Sequence, residues 1–290
     1  KCDSPDNNFY EFDPRTLKEN KISLSEIADD VAYVTFENSF QLGAIHNVKF
    51  LNKTIYFSSK DVGILAFDRE GKTLRKIGTV GRGPGEYLYN YNFTVDENTG
   101  KVYNLDKGDI IKVFSGTGQF IRSFPLQEYG VSDAIEFYNS KLFVSYAIQS
   151  ENVRYKWIVF DTLGNEIKKK EREIPMFTAN YGNGETIYKF ENRLFYWNNY
   201  TDTVFSVSPE LRKAPSFIIS PGEHRPPRSK LSFEQLMQNK FLNLFKIFET
   251  KRFFVLHYFF NRTTLTLIDK NNQEAFSIYL EYENENCLNG

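Results

Sequence analysis

Apolar and polar positions alternate in short runs along most of this chain, and clusters of turn-forming residues close each run. The pattern is sharpest from Gly78 to Phe124, where a glycine-studded loop precedes three strand-like runs divided by Asn98-Thr99-Gly100, Lys107-Gly108-Asp109 and Ser115-Gly116-Thr117-Gly118. Turn clusters of this kind between alternating runs are hairpin signals, so the stretch predicts an antiparallel meander. An isolated alternating run, Val31 to Phe36, predicts a leading strand.

The rest of the chain repeats this unit. An aromatic or aliphatic residue followed by a turn former recurs at Phe67-Asp68, Phe114-Ser115, Phe160-Asp161, Val207-Ser208 and Ile268-Asp269, at intervals of 47, 46, 47 and 61 residues. A second pair precedes it in each copy: Tyr56-Phe57, Val102-Tyr103, Leu142-Phe143, Leu194-Phe195 and Phe253-Phe254. Four residues after the first anchor stand Gly71, Gly118, Gly164, Leu211 and Asn272. All but Leu211 take a left-handed backbone cheaply, as a bulged hairpin requires; the Leu211 copy is expected to turn differently, helped by Pro209. Near-constant spacing of one supersecondary unit indicates an all-β propeller with five visible blades. Either the ring has five blades, or a sixth is completed by the leading strand, which would leave no open sheet edge. A pair of β-sandwiches with coincidental spacing is the competing reading.

The longer last interval places an insertion at about residues 221–244. Pro221-Gly222 and Pro226-Pro227 mark a loop there. Ser232-Phe233-Glu234-Gln235 fits a capping box that opens a short helix, with Phe233, Leu236, Met237, Phe241 and Leu244 expected on one face. Residues 1–21 are polar and aperiodic and read as a tether, leaving 22–290 as a single propeller domain. A start of Lys-Cys without Met reads as trimmed, either by removal of a signal peptide, the natural cause, or by artificial truncation for expression.

Composition narrows the function classes. Aromatics make up 17% of the chain, which favours strands. With 36 Lys and Arg against 37 Asp and Glu, the net charge of -1 supplies no field to attract nucleic acid or an anionic membrane. No apolar run approaches the ~20 residues of a membrane span. Cys2 and Cys287 form neither a disulfide framework nor a zinc motif, and nothing in the sequence implies a cofactor or a metal.

The run Ile77-Gly78, Gly81-Arg82-Gly83-Pro84-Gly85-Glu86-Tyr87, then Phe93-Thr94-Val95-Asp96, Gly100-Lys101-Val102-Tyr103, Ile110 to Phe114 and Gly118-Gln119-Phe120-Ile121 resembles an NHL-type repeat. More closely, the chain is similar to the six-bladed β-propeller lipoproteins abundant in Bacteroidetes, whose first inter-blade loop carries this GRGPGEY run. The resemblance covers nearly the whole chain and is specific in Gly78 to Phe124. It implies the six-bladed NHL/TolB-like fold and an exported, cell-envelope location, as a periplasmic or outer-membrane lipoprotein, without assigning an activity. Membrane contact would then come only through a lipid anchor upstream of the sequence, since Lys1 replaces the small residue a lipobox needs before Cys2.

The Gly81 to Tyr91 loop is the leading ligand site. Its glycines allow close backbone approach, while Arg82, Glu86, Tyr87, Tyr89 and Tyr91 supply charge and flat surfaces suited to sugars and peptides. Arg82 and Glu86 could equally bond backbone in a structural crossover. The run is no phosphate cradle, because it lacks the Lys-Ser/Thr and the helix of a P-loop. His46 lies at the start of an inner strand and is a further candidate. His224, Arg225, Arg228 and Lys230 make the insertion basic, which suits either a solvated excursion or a lid offering Arg225 and Arg228 to an anion. Asp96 and Asp106 read as blade-positioning acids. The expected function is a non-enzymatic envelope module that binds a glycan, peptide or envelope protein at the loop mouth. The alternative is a hydrolase or lyase of the NHL-propeller type, requiring two or more of His46, Asp133, Glu136 and Lys246 to converge in the channel.

Overall fold

The computed structural model describes residues 11–13, 27–37, 40–51, 53–146, 152–181, 185–238, 241–260 and 262–279. Cys2, Cys287 and most of the proposed tether lie outside them. The chain forms two compact units, one of residues 30–177 and one of residues 1–29 with 178–290.

A two-residue strand, β1 (Glu11–Phe12), comes first in the chain. The unit of residues 30–177 then holds three antiparallel sheets, each a four-stranded meander. The first is β2 (Ile45–Leu51), β3 (Thr54–Ser59), β4 (Gly63–Phe67) and β5 (Thr73–Ile77). The second is β6 (Asn92–Val95), β7 (Val102–Asp106), β8 (Ile110–Phe114) and β9 (Phe120–Pro125). The third is β10 (Ser132–Tyr138), β11 (Lys141–Tyr146), β12 (Tyr155–Asp161) and β13 (Glu166–Glu171). The other unit holds two more, β14 (Glu185–Phe190) to β17 (Lys213–Ile219) by way of β15 (Arg193–Asn198) and β16 (Thr203–Val207), and β18 (Asn243–Glu249) to β21 (Ala275–Tyr279) by way of β19 (Phe253–Phe260) and β20 (Arg262–Asp269).

Alternation along the strands builds the core between consecutive sheets. Tyr56, Ile64 and Ala66 of the first sheet pack with Phe93, Val95 and Phe114 of the second. Tyr103, Ile111 and Val113 pack in turn with Ile135, Phe137 and Val144 of the third. The second strand of each sheet is buried almost throughout (β3, β7 and β11) while the fourth turns polar, ending in the EIKKKE of β13. A lysine-studded outer strand resists pairing with a second chain.

The repeated anchor pairs are the third-to-fourth-strand hairpins. The side chain of Asp68 accepts from the amides of Glu70 and Lys72, Asp161 from those of Leu163 and Asn165, and Ser115 from those of Thr117 and Gln119. Leu211 departs from the expectation of a different turn. Its φ is 60°, its amide donates to Ser208 O at 2.8 Å, and Ser208 N donates to Arg212 O, the pattern seen at Gly71 and Gly118. Burial of the leucine side chain offsets the strain of the left-handed backbone. In the last copy Gln273, not Asn272, takes the positive φ.

Three further expectations are corrected. Val31 to Phe36 forms no strand: Tyr33 is fully exposed, while Val34 and Phe36 cover the first sheet, with Phe36 against Phe57 and Phe67 at 5.1 and 4.7 Å. Only two of its side chains find an apolar surface, and Glu37 N donates to Gly71 O rather than entering a ladder. Within the stretch read as a tether, β1 instead pairs parallel with β17. The insertion carries the expected capping box, Ser232 with Gln235, on a five-residue helix α1 (Phe233–Met237). Phe233 nevertheless points outward at 78% exposure, and Leu244 belongs to β18, so neither joins an apolar helix face. A single turn of helix is too short to carry a continuous stripe.

Candidate ligand-binding site

The site is built on the first strands of the three sheets in residues 30–177. Pairing registers make Asn47, Asn92 and Ala134 equivalent, since each opposes the residue three beyond the one paired with the anchor phenylalanine, that is beyond Ile55, Val102 and Leu142. The residues just before them, His46, Tyr91 and Asp133, therefore occupy one level. Register shifts in β2 and β10 show that His46 and Asp133 are bulge residues, re-aimed out of the regular pleat. The asparagines tie neighbouring sheets together: Asn47 Nδ2 donates to Tyr91 O at 3.2 Å, and Asn92 Nδ2 to Asp133 O at 2.5 Å. The His46 ring sits edge-on against Tyr91 at 4.3 Å, with Nε2 enclosed and unpartnered.

Three residues further along lie Lys49, Thr94 and Glu136, again equivalent. Here the polar groups satisfy one another. Glu136 pairs with Lys49, accepts from Thr94 Oγ1 at 2.9 Å, and Thr94 Oγ1 accepts from Phe137 N at 2.8 Å.

The Gly81 to Tyr91 loop folds over this end of the second sheet. Gly81 N donates to Tyr87 O and Tyr87 N to Thr79 O. Glu86 turns inward and accepts from Gly83 N at 2.7 Å, and its carboxylate occupies the space a Cβ on Gly81 would need. Tyr87 is wholly buried, donating to Ile77 O and accepting from Ile64 N, and burial pushes its phenol up to about 12. Asp106 accepts from the amides of Leu88 and Tyr89, and Asp96 caps its own turn through Asn98 and Thr99, the positioning role expected of both. Glu86 and Tyr87 thus hold the loop from within.

The residues left facing outward line a pocket of about 660 Å³ between the loop and the third sheet. Arg82, Tyr89, Tyr91, Asn92, Lys107 and Asp133 are among its lining residues. Tyr89 and Tyr91 are 47% and 38% exposed, tilted 48° with ring centroids 6.1 Å apart. Asp133 Oδ2 is enclosed without a donor, and burial pushes the carboxyl up to about 6.

The structure therefore brings Arg82 and Tyr89 into one pocket, sets His46 behind Tyr91, and turns Glu86 and Tyr87 away from it. Arg225 and Arg228 belong to the other compact unit, where Arg225 pairs with Asp202 and Arg228 Nη2 donates to Tyr200 O at 3.4 Å. Lys246 also lies in that unit. Lys107, Asn92 and the binding position of Asp133 escaped the sequence reading, because bulges carry no residue signature. Aligning the repeats on Asn47 and Asn92 would have shown that His46, Tyr91 and Asp133 share a level. Among the described residues no cluster of three or more His, Cys, Asp or Glu could hold a metal, and no helix is long and apolar enough to cross a membrane.

A family model described as "Domain of unknown function (DUF4934)" matches residues 9–290. Comparison with curated proteins finds no match. Among solved structures, a candidate exported protein of Bacteroides fragilis is 18% identical, with a TM-score of 0.72 over 93% of this chain and 79% of its own. A DUF4221 family member from Bacteroides vulgatus is 12% identical, with a TM-score of 0.57 over 85% and 84%. The virginiamycin B lyase of Staphylococcus aureus is 11% identical, with a TM-score of 0.50 over 83% and 71%. Likeness at these identities is one of fold, and the fold is an all-β propeller.

Proposed function

The chain belongs to the DUF4934 family, and because that description names no activity, we propose from the geometry that it is a non-enzymatic binding module that takes a glycan at the loop mouth. The observation that carries the reading is the pocket of about 660 Å³ on a fixed rim: its backbone is anchored by Glu86, Tyr87 and Asp106, while Tyr89 and Tyr91 remain exposed within it. A preformed concavity with exposed aromatic faces and a few polar groups is what small ligands require. Tyrosine rings offer the apolar face of a sugar a flat surface at little entropic cost. A peptide or an envelope protein remains the runner-up occupant.

The proposal includes export to the cell envelope, supported by the sequence resemblance and by the candidate exported protein of the same fold. It also includes a ring of six blades, the number the resemblance implies, of which five sheets lie among the described residues. The hydrolase or lyase alternative draws less support. Glu136 is engaged by Lys49 and Thr94, and no hydrogen bond joins His46 to Asp133.

The test is a glycan and peptide array probed with the full chain and with Arg82→Ala and Tyr89→Ala, each checked by circular dichroism. Removing the Tyr89 ring should weaken glycan binding about tenfold with the fold intact. Binding unchanged in both variants would remove the loop-mouth reading.

A further inference from the structure

We propose that Asp133 determines the specificity of this pocket and that it selects a neutral saccharide, whose hydroxyls donate to its carboxylate. The inference rests on the binding reading above and deepens it.

Two neighbouring donors are committed elsewhere. Asn92 Nδ2 donates to the Asp133 carbonyl, and Ser132 Oγ to Gly108 O at 2.6 Å. No side chain or amide among the described residues donates to the Asp133 carboxylate, and its Oδ2 is closed off from solvent. A carboxylate so placed is an acceptor awaiting a donor, since buried polar groups are ordinarily satisfied. The raised pKa of about 6 agrees with that isolation. Rotation about χ2 of an aspartate is soft, so either oxygen can be presented to the pocket. The bulge in β10 is what turns this side chain out of the sheet, and bulges recur beside binding sites.

A hydroxyl or an ammonium would satisfy the acceptor equally well in geometry. The charges of the pocket decide between them. Arg82 and Lys107 line the same space, so Asp133 is outnumbered by cations and an ammonium ligand meets repulsion. A neutral polyol does not, and its ring can lie on Tyr89 or Tyr91 while its hydroxyls reach the carboxylate. Tyr89 and Tyr91 are the other titratable groups of the pocket, with His46 behind Tyr91.

The experiment measures binding of maltoheptaose, cellohexaose and mannohexaose to the full chain by calorimetry at pH 7.5 and pH 5.0, with a chitosan hexamer as cationic comparator. A neutral probe should bind the parent chain, weaken when the carboxylate is protonated at pH 5.0, and lose tenfold or more in Asp133→Ala. Asp133→Asn should bind with no dependence on pH over this range and melt no lower than the parent, while His46→Gln should keep the parent's pH response. If Asp133→Ala binds as tightly as the parent while Tyr89→Ala does not, the pocket stands and the role of Asp133 falls. Preference for the chitosan hexamer would likewise overturn the inference. If no probe binds the parent, both the inference and the glycan reading fall.

Discussion

Two acids on strand β10, Asp133 and Glu136, stand three residues apart and live in opposite circumstances. Glu136 is almost wholly buried and met from the other two sheets of its unit, by Lys49 of the first and by Thr94 of the second. Asp133 reaches the pocket, and no donor among the described residues meets its carboxylate. The level of Lys49, Thr94 and Glu136 is closed chemically and ties three sheets into one unit; the level of His46, Tyr91 and Asp133 is left open. A carboxylate kept without partners costs stability, and such costs persist where they serve binding.

The contrast can be broken at its stable end. Replacing Lys49 by Met removes the cation set against the buried Glu136 carboxylate, and is expected to lower the unfolding free energy by about 3 kcal/mol in urea denaturation. Adding Glu136→Leu should restore most of that loss, because a buried ion pair is replaced by packed apolar side chains. A loss that persists in the double variant would mean that the pair positions backbone rather than balancing charge.

At the open end the sign reverses. The folded pKa of Asp133, about 6, lies above its ordinary 3.8, so the folded state holds a proton that the unfolded chain has released. Stability contributed at Asp133 is complete below about pH 4 and is lost as pH rises through 6, by up to about 3 kcal/mol. Asp133→Asn should therefore be more stable than the parent at pH 7 and flat between pH 4 and 6, read from thermal melts across that range.

Smaller effects sharpen the boundary between scaffold and site. Tyr87→Phe leaves Ile64 N–H and Ile77 C=O without their shared hydroxyl and should cost about 2 kcal/mol. Tyr89→Ala, two residues on, removes a half-exposed ring and should change stability by less than about 0.5 kcal/mol while weakening ligand. If the two tyrosines proved equally costly to stability, the loop would not divide into a buried frame and an open face.

The sequence shows this division only in part. The blade unit was legible because hairpin chemistry leaves marks: Asp68, Ser115 and Asp161 cap the turns their positions forecast. Leu211 was misread because a buried side chain and a set of backbone hydrogen bonds can hold a leucine where glycine is usual. Val31 to Phe36 was misread because alternation alone does not supply a strand with a partner. In the candidate site, Arg82 and Tyr89 were found by the loop's composition. The inward turn of Glu86 and Tyr87 was not, since a GRGPGEY run does not reveal which side chains its own backbone consumes. Asp133 reaches the pocket through a bulge, and a bulge is set by the pairing of two strands rather than by either alone.

The parallel pairing of Glu11 and Phe12 with Ile218 and Ile219 has a mechanical meaning. Traction applied to the amino-terminal end would reach this short clasp before any four-stranded sheet. With only two paired residues, the clasp would yield at lower force than any four-stranded sheet.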